Sequence, residues 1–265
     1  MSIEHKHNKL LDKQASYMTV GTGEPLVLLH GWGVSSAIWS LVVKQLSHHY
    51  CVYLVDLPGF GKQPELNDYA LKTIAETLLD KLPKQAVWCG WSLGGLVATY
   101  VACHFPNRVK KLVQISASLK FVEEGGWLGV KKDVFELFKE NVSKHPQKTL
   151  NRFLSLQAMG SETVKSDIAT IKQLMIDQPK PKLSALIAGL DLLSTVDLRT
   201  KFSEMKIPSL ILLGELDSLV PIANAPALIE LNPLQQQVIF KSSSHAPFIS
   251  EPEKFNEVLI GFINQ

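Results

Sequence analysis

A serine hydroxyl attacks a carbonyl only when one group takes its proton and others steady the charge that the attack creates. The surroundings of Ser92 are suited to both. Gly90-Trp91-Ser92-Leu93-Gly94, followed by Gly95, stands between the apolar run Ala86 to Cys89 and a stretch of helical spacing from Leu93. This is the G-x-S-x-G pattern of a nucleophile on a tight strand-to-helix turn. The turn strains the serine backbone, and small residues two positions to either side let neighbouring backbone pass. The serine is thereby presented at a helix N-terminus, where free N–H groups favour developing negative charge. A Gly-rich turn alone carries little weight; the strand before it and the helix after it give the pattern its meaning.

A second oxyanion donor should come from a loop after an earlier strand, and His30-Gly31-Trp32-Gly33 follows the apolar run Leu26 to Leu29. The backbone N–H groups of Trp32 and Leu93 are therefore expected to form the oxyanion hole. His30 precedes the nucleophile, in an order where the base comes last, so it is expected to hydrogen-bond loop backbone instead. His245 fits the base. It follows the late run Gln237 to Phe240 and Ser242-Ser243-Ser244, ahead of Ala246-Pro247-Phe248 and a final helical stretch, and an imidazole there can take the proton of Ser92 and return it to a leaving group. The orienting acid should lie between them. The run Ser209 to Leu213 ends in Gly214-Glu215-Leu216-Asp217, offering two carboxylates; Asp217, in the loop that can swing toward His245, is preferred to Glu215. Asp191, Asp197 and Asp56 are weaker candidates, and Asp56 is expected to cap the turn after its strand.

The remaining histidines, His5, His7, His48, His49, His104 and His145, have no such placement and are expected at the surface. Cys51, Cys89 and Cys103 form no C-x-x-C pair and leave an odd count, which argues against a disulfide framework or a zinc ribbon. Cys89 ends an apolar run and reads as a packed small hydrophobe rather than a rival nucleophile. No metal site is expected.

Positioning these groups requires a scaffold of buried strands. Leu26 to Leu29, Cys51 to Val55, Ala86 to Cys89, Lys111 to Ile115, Ser209 to Leu213 and Gln237 to Phe240 are short apolar runs, and Tyr17 to Val20 suits an antiparallel edge strand. Ile38 to Leu46, Tyr69 to Leu82, Leu93 to Cys103 and Glu253 to Ile263 carry apolar residues at helical spacing. The alternation predicts an α/β fold with a mostly parallel sheet covered on both faces. It stops after Ser118 and resumes near Ile207. Apolar faces at Phe135, Leu137 and Phe138, at Leu150, Phe153, Leu154 and Leu156, and at Ile168, Ile171, Leu174 and Met175 predict amphipathic helices, with boundaries at Pro146 and Pro179-Lys180-Pro181. Residues 1–118 and 197–265 are thus expected to form one core, and 119–196 a helical cap that returns to the same sheet.

At 265 residues and 46% hydrophobic, the chain can bury a large interior. A formal net charge of +2, with charges spread along the chain, lacks the basic concentration of a nucleic-acid binder. Met1 to Asp12 has no signal-peptide core and no stretch reaches membrane-spanning length, so a cytoplasmic protein with no membrane partner is expected.

Taken together, His30 to Gly33, Asp56 to Gly61, Gly90 to Gly95, Gly214 to Asp217 and His245 to Phe248 resemble the α/β-hydrolase superfamily across nearly the whole chain. Gly90 to Ala98, the cap stretch Arg152 to Gly160, Thr195 to Arg199 and His245 to Ser250 are similar to one branch, the BioH family of biotin-pathway pimeloyl-[acyl-carrier protein] methyl ester esterases. The cap stretch is the informative part, since core motifs serve many activities. The resemblance implies a serine carboxylesterase that releases methanol from the methyl ester of pimeloyl-acyl carrier protein, with no cofactor. It implies substrate contacts at Trp32, Ser92, Leu93, Phe153, Leu154, Ser155, Leu156, Gln157 and His245.

An acyl carrier protein is acidic, and Lys148 and Arg152 stand one helical turn apart, with Lys165 and Lys172 further along. From charge alone this face reads as ordinary solvated surface; the resemblance implies carrier docking at Lys148, Arg152 and Lys165. A further basic position of the family is Ala169 here, and the stretch through Lys9 is longer than in the family. A monomer is expected. The triad alone leaves open another small-substrate hydrolase on the same scaffold, such as a short-chain carboxylesterase, a carbon–carbon bond hydrolase or a menaquinone-pathway lyase, and also a ligand sensor using the same residues.

Overall fold

The computed structural model describes residues 17–265. The expectations for Met1 to Asp12, His5, His7 and Lys9 lie outside the described residues. Seven strands, β1 (Tyr17–Val20), β2 (Glu24–Leu29), β3 (Tyr50–Val55), β4 (Ala86–Trp91), β5 (Val109–Ile115), β6 (Ser209–Gly214) and β7 (Gln235–Phe240), form one sheet in the order β1-β3-β2-β4-β5-β6-β7. Strand β1 pairs antiparallel with β3, and every other pairing is parallel. Each of the apolar runs is a strand, and several strands extend beyond their run, as β7 does into Gln235 and Gln236.

The helices are α1 (Ser40–Leu46), α2 (Leu71–Leu79), α3 (Leu93–His104), α4 (Lys132–Lys144), α5 (Pro146–Leu156), α6 (Val164–Met175), α7 (Leu183–Thr195), α8 (Arg199–Ser203), α9 (Ala225–Leu231), α10 (Pro247–Ser250) and α11 (Pro252–Ile263). The expected helix at Ile38 begins as a 3-10 turn over Ser36–Trp39 before α1. Helix α2 is shorter than the stretch Tyr69 to Leu82 at both ends, and Asp68 fixes its start. Its carboxylate accepts the Ala70 N–H at 2.9 Å and the Thr73 hydroxyl at 2.6 Å.

Strand side chains alternate between two cores. Val27, Leu29 and Trp88 face one cluster with α2 and α3, whereas Leu26, Leu28, Val87 and Cys89 face the other with Trp39, Phe255 and Phe262. Burial on both faces explains why these strands read as continuous apolar runs rather than alternating ones. Helices α4 to α8 lie between β5 and β6, yet these strands are neighbours, with Leu112 opposite Ser209 and Ile115 opposite Leu212. Pro146 opens α5, where its missing N–H costs no helical bond. Parallel pairing brings the C-terminal ends of β2, β4, β6 and β7 to one edge of the sheet, and that edge carries the candidate residues.

Candidate active site

Ser92 joins β4 to α3 with φ 54° and ψ −116°, a conformation that L side chains rarely adopt. Its N–H donates to the Ile115 carbonyl of the neighbouring strand at 3.0 Å, which holds the turn in place. A Cβ on Gly94 would lie 2.5 Å from the carbonyl oxygens of both Leu29 and His30, and one on Gly90 would collide with the Gly94 carbonyl. The two glycines are therefore required by close backbone approach. Ser116, at the end of β5 beside this turn, has φ 41° and is the other non-glycine residue at positive φ among the described residues. Nothing in the sequence signals that strain.

The loop after β2 lies directly against the turn at Ser92. A Cβ on Gly31 would stand 2.9 Å from the Trp91 ring and 3.2 Å from the Ser92 Cβ. The next N–H, that of Trp32, thus belongs to a loop touching Ser92, while the N–H of Leu93 is the first of α3 and lacks an intrahelical acceptor. The Trp32 side chain points toward α4, α5 and α7. Its indole N–H donates to the Leu186 carbonyl of α7 at 2.9 Å, and its ring packs edge-on to Phe153 and Phe138, with centroids 4.8 and 5.5 Å away.

His245 and Asp217 form a buried pair, with His245 Nδ1 and Asp217 Oδ2 2.7 Å apart and both side chains 1% exposed. A carboxylate can only accept, so Nδ1–H donates and Nε2 carries the free lone pair. Nε2 is buried and has no hydrogen-bond partner among the described residues. This tautomer can take a proton from a hydroxyl. The other carboxylate oxygen of Asp217 accepts the N–H groups of Leu219 and Val220 at 2.8 and 3.0 Å, which fixes the carboxylate plane. Next to Ser92 in the chain, the Trp91 indole N–H donates to the His245 carbonyl at 2.7 Å.

The competing groups fall elsewhere. Glu215 is exposed, and its N–H continues the sheet by donating to the Phe240 carbonyl. His30 is fully buried: its Nδ1–H donates to the Gly31 carbonyl at 2.7 Å and its Nε2 accepts the Leu57 N–H at 2.9 Å. Burial pushes its pKa down against the opposing pull of Asp56, so it stays a neutral brace for the loop. Asp56 accepts the N–H groups of Ser36 and Lys62. Asp191 pairs with Lys139, and Asp197 with Arg199 and Lys120. Burial pushes the Cys89 thiol up, away from a reactive thiolate. His48, His49, His104 and His145 are exposed. No cluster of His, Cys, Asp or Glu able to hold a metal occurs among the described residues.

Along α5 and the residues that follow it, Phe153 is half-buried against Trp32, whereas Leu154 turns into the cluster containing Ala158 and Ile171. Ser155 and Leu156 are half-buried. Gln157 is buried; its backbone carbonyl accepts the His245 N–H at 3.1 Å, a contact across 88 positions that no sequence pattern reveals. Lys148, Arg152 and Lys165 are exposed on α5 and α6, as is Ala169.

A family profile described as the alpha/beta hydrolase fold matches residues 24–252. A pimeloyl-[acyl-carrier protein] methyl ester esterase of Vibrio vulnificus (strain CMCP6) is 46% identical over 246 residues, covering 93% of this chain and 96% of its own. The esterase of the same name from Klebsiella pneumoniae (strain 342) is 42% identical over 250 residues, covering 94% and 97%. The chain belongs to this esterase family of the alpha/beta hydrolases. Among solved structures, an esterase from Exiguobacterium antarcticum superposes with a TM-score of 0.85 at 24% identity, covering 94% of this chain and 95% of its own. The enol-lactonase of Burkholderia xenovorans LB400 gives 0.81 at 18% identity, covering 94% and 96%. At such identities these neighbours share the alpha/beta hydrolase fold, and their differing names illustrate how little that fold fixes a substrate. No helix among the described residues is long and apolar enough to cross a membrane.

Proposed function

We propose that this protein is a serine carboxylesterase that hydrolyses the methyl ester of pimeloyl-[acyl-carrier protein], giving pimeloyl-[acyl-carrier protein] and methanol in biotin biosynthesis. The observation that carries the substrate is the 46% identity to an esterase of that name, maintained over 96% of that protein's length. The buried Asp217–His245 pair, tied through the Trp91 indole to the residue before Ser92, and the strained backbone of Ser92 support the chemistry.

The reaction runs in two halves. Ser92 Oγ attacks the ester carbonyl while His245 Nε2 takes its proton, and the N–H groups of Trp32 and Leu93 receive the oxyanion. The imidazolium, steadied by Asp217, returns that proton to the departing methoxide, so methanol leaves and an acyl-Ser92 ester remains. Water then gives a proton to His245 and its oxygen to the acyl carbon. Collapse frees the carboxylic acid and restores the serine. The chemistry needs no cofactor.

Trp32, Leu93 and the stretch Phe153, Leu154, Ser155, Leu156 and Gln157 serve in this reading as the substrate wall, with 119–196 as the cap above the core. Exposed Lys148, Arg152 and Lys165 meet the acidic carrier. The enzyme acts as a cytoplasmic monomer. Mass spectrometry of methyl-pimeloyl-acyl carrier protein after incubation with the enzyme tests the assignment: the methyl group is lost, and Ser92→Ala abolishes the loss. Retention of the methyl group while short p-nitrophenyl esters are cleaved would refute the substrate and leave the esterase chemistry.

A further inference from the structure

The loop bearing His245 is gripped from two sides. On the core side, the Trp91 indole holds the His245 carbonyl and the Leu216 N–H donates to the Ser243 carbonyl at 3.1 Å. On the cap side, four bonds run between residues 157–167 and 242–250. The Glu162 N–H donates to the Ser242 carbonyl at 3.2 Å, the Ser244 hydroxyl to the Met159 carbonyl at 2.7 Å, and the His245 N–H to the Gln157 carbonyl at 3.1 Å. The fourth joins two side chains: the Ser250 hydroxyl of α10 donates to Asp167 Oδ2 of α6 at 2.7 Å.

Asp167 is only 4% exposed, and a carboxylate taken so far out of water needs strong compensation. The same Oδ2 also accepts the hydroxyls of Ser161 at 2.8 Å and Thr163 at 3.0 Å. Three hydroxyls thus converge on one charged oxygen; two come from the cap itself and one from the helix that follows His245. Bonds to an ionised acceptor are shorter and stronger than neutral ones. Helix α10 begins two residues after His245 and packs against α6, so this anchor sets where the imidazole sits relative to the nucleophile turn.

We propose that Asp167 is a positioning residue for His245, acting through Ser250 and α10. Its kinetic consequence rests on the esterase reading above. The loss of the Ser250 bond lets α10 shift and lengthens the reach of Nε2 to Ser92, and a misplacement of the order of 1 Å costs up to about 100-fold in rate.

The test compares Asp167→Ala, Ser250→Ala and Ser161→Ala in the full chain. The measurements are kcat and KM on p-nitrophenyl acetate, thermal stability, and the low-field proton resonance of the His245 Nδ1–H. Each serine variant removes one hydroxyl from the same oxygen, but only Ser250 lies on the His245 side. Positioning predicts that Asp167→Ala and Ser250→Ala lower kcat by about 10- to 100-fold, leave KM nearly unchanged and broaden the resonance. Ser161→Ala lowers stability alone, and Asp167→Asn, which keeps an acceptor oxygen, recovers most of kcat. If all three alanine variants lower kcat only in step with stability, or Ser250→Ala leaves kcat and the resonance intact, the proposal is wrong. Should Asp167→Ala fail to fold, Ser250→Ala decides. A wild-type protein without Ser92-dependent turnover would defeat the esterase reading instead, and the resonance comparison would then decide positioning by itself.

Discussion

Asp217→Asn offers the sharpest test of the acid. In the native site one carboxylate oxygen accepts the His245 Nδ1–H and the other accepts two backbone N–H groups, from Leu219 and Val220. An asparagine has a single acceptor oxygen. The two backbone donors claim it, because the turn they belong to is fixed, and the NH₂ group is left facing Nδ1. His245 must then accept at Nδ1 and carry its proton on Nε2, the nitrogen that should receive the serine proton. A wrong tautomer in this type of triad costs about 10⁴ in kcat, which corresponds to about 5 kcal/mol of transition-state stabilisation. Stability should fall much less, by about 1–3 kcal/mol for a weakened charged hydrogen bond. Glu215→Gln, at an exposed side chain, should stay within about 0.5 kcal/mol of wild-type stability and keep its turnover. Initial rates on p-nitrophenyl acetate and urea unfolding of both variants supply the comparison. An Asp217→Asn enzyme within about tenfold of wild type, or an equal loss in Glu215→Gln, would show the argument to be wrong.

Gly94→Ala places a Cβ 2.5 Å from two strand carbonyls that cannot retreat. Overpacking against rigid backbone should cost about 1–3 kcal/mol or more, visible as a lowered thermal midpoint. Replacing Lys148 and Arg152 together with glutamate should raise KM for the carrier-bound ester at low salt far more than for p-nitrophenyl acetate, and added salt should narrow the gap. Equal effects on both substrates would count against docking there. The Arg199 guanidinium, bonded at 2.6 Å and helped by Lys120, holds the Asp197 carboxyl down at about 2. A depressed carboxyl pKa stabilises the fold above the unfolded value near 4, and that contribution disappears as pH falls from about 4 to about 2. Partial exposure limits it to about 1 kcal/mol. Chemical denaturation should therefore show Asp197→Asn less stable than wild type at pH 7, with most of the difference gone near pH 2.

The strands and the tight turn at Ser92 were legible because their causes are local. Burial on both faces writes a continuous apolar run, and the approach of Leu29 and His30 to Gly94 leaves a glycine in the sequence. The edge strand β1 was legible from Tyr17 to Val20 and the turn glycines after it. The order of residues also pointed to His245 and favoured Asp217 as its partner, but only the fold separated Asp217 from Glu215: two positions along the loop, one carboxylate is buried on His245 and the other meets solvent. Helix α7 left a weak signal. Ala185, Leu186, Gly189, Leu190 and Leu193 are buried, and half-buried residues flank them, so no clean polar face marks the segment. The Leu186 carbonyl that anchors Trp32 and the bonds joining 157–167 to 242–250 have no signature at all. They are made largely by backbone atoms, or by serines and an aspartate that resemble any helix-capping set.

The adjacency of β5 and β6 across five intervening helices has a consequence for how such a protein can change. The entropy of closing a flexible connection grows only with the logarithm of its length, by about 0.6 kcal/mol per doubling. Chain length between Ile115 and Ser209 is thus almost free to vary without disturbing the sheet, and the sheet imposes no memory of what was inserted there. Grafting experiments can exploit this. A chimera that takes its early helix and its last helix from another protein, while keeping 157–167 and the Ser250 anchor, should retain a working histidine loop and acquire a new entrance. One that replaces the whole insertion should fold around an intact sheet and lose turnover.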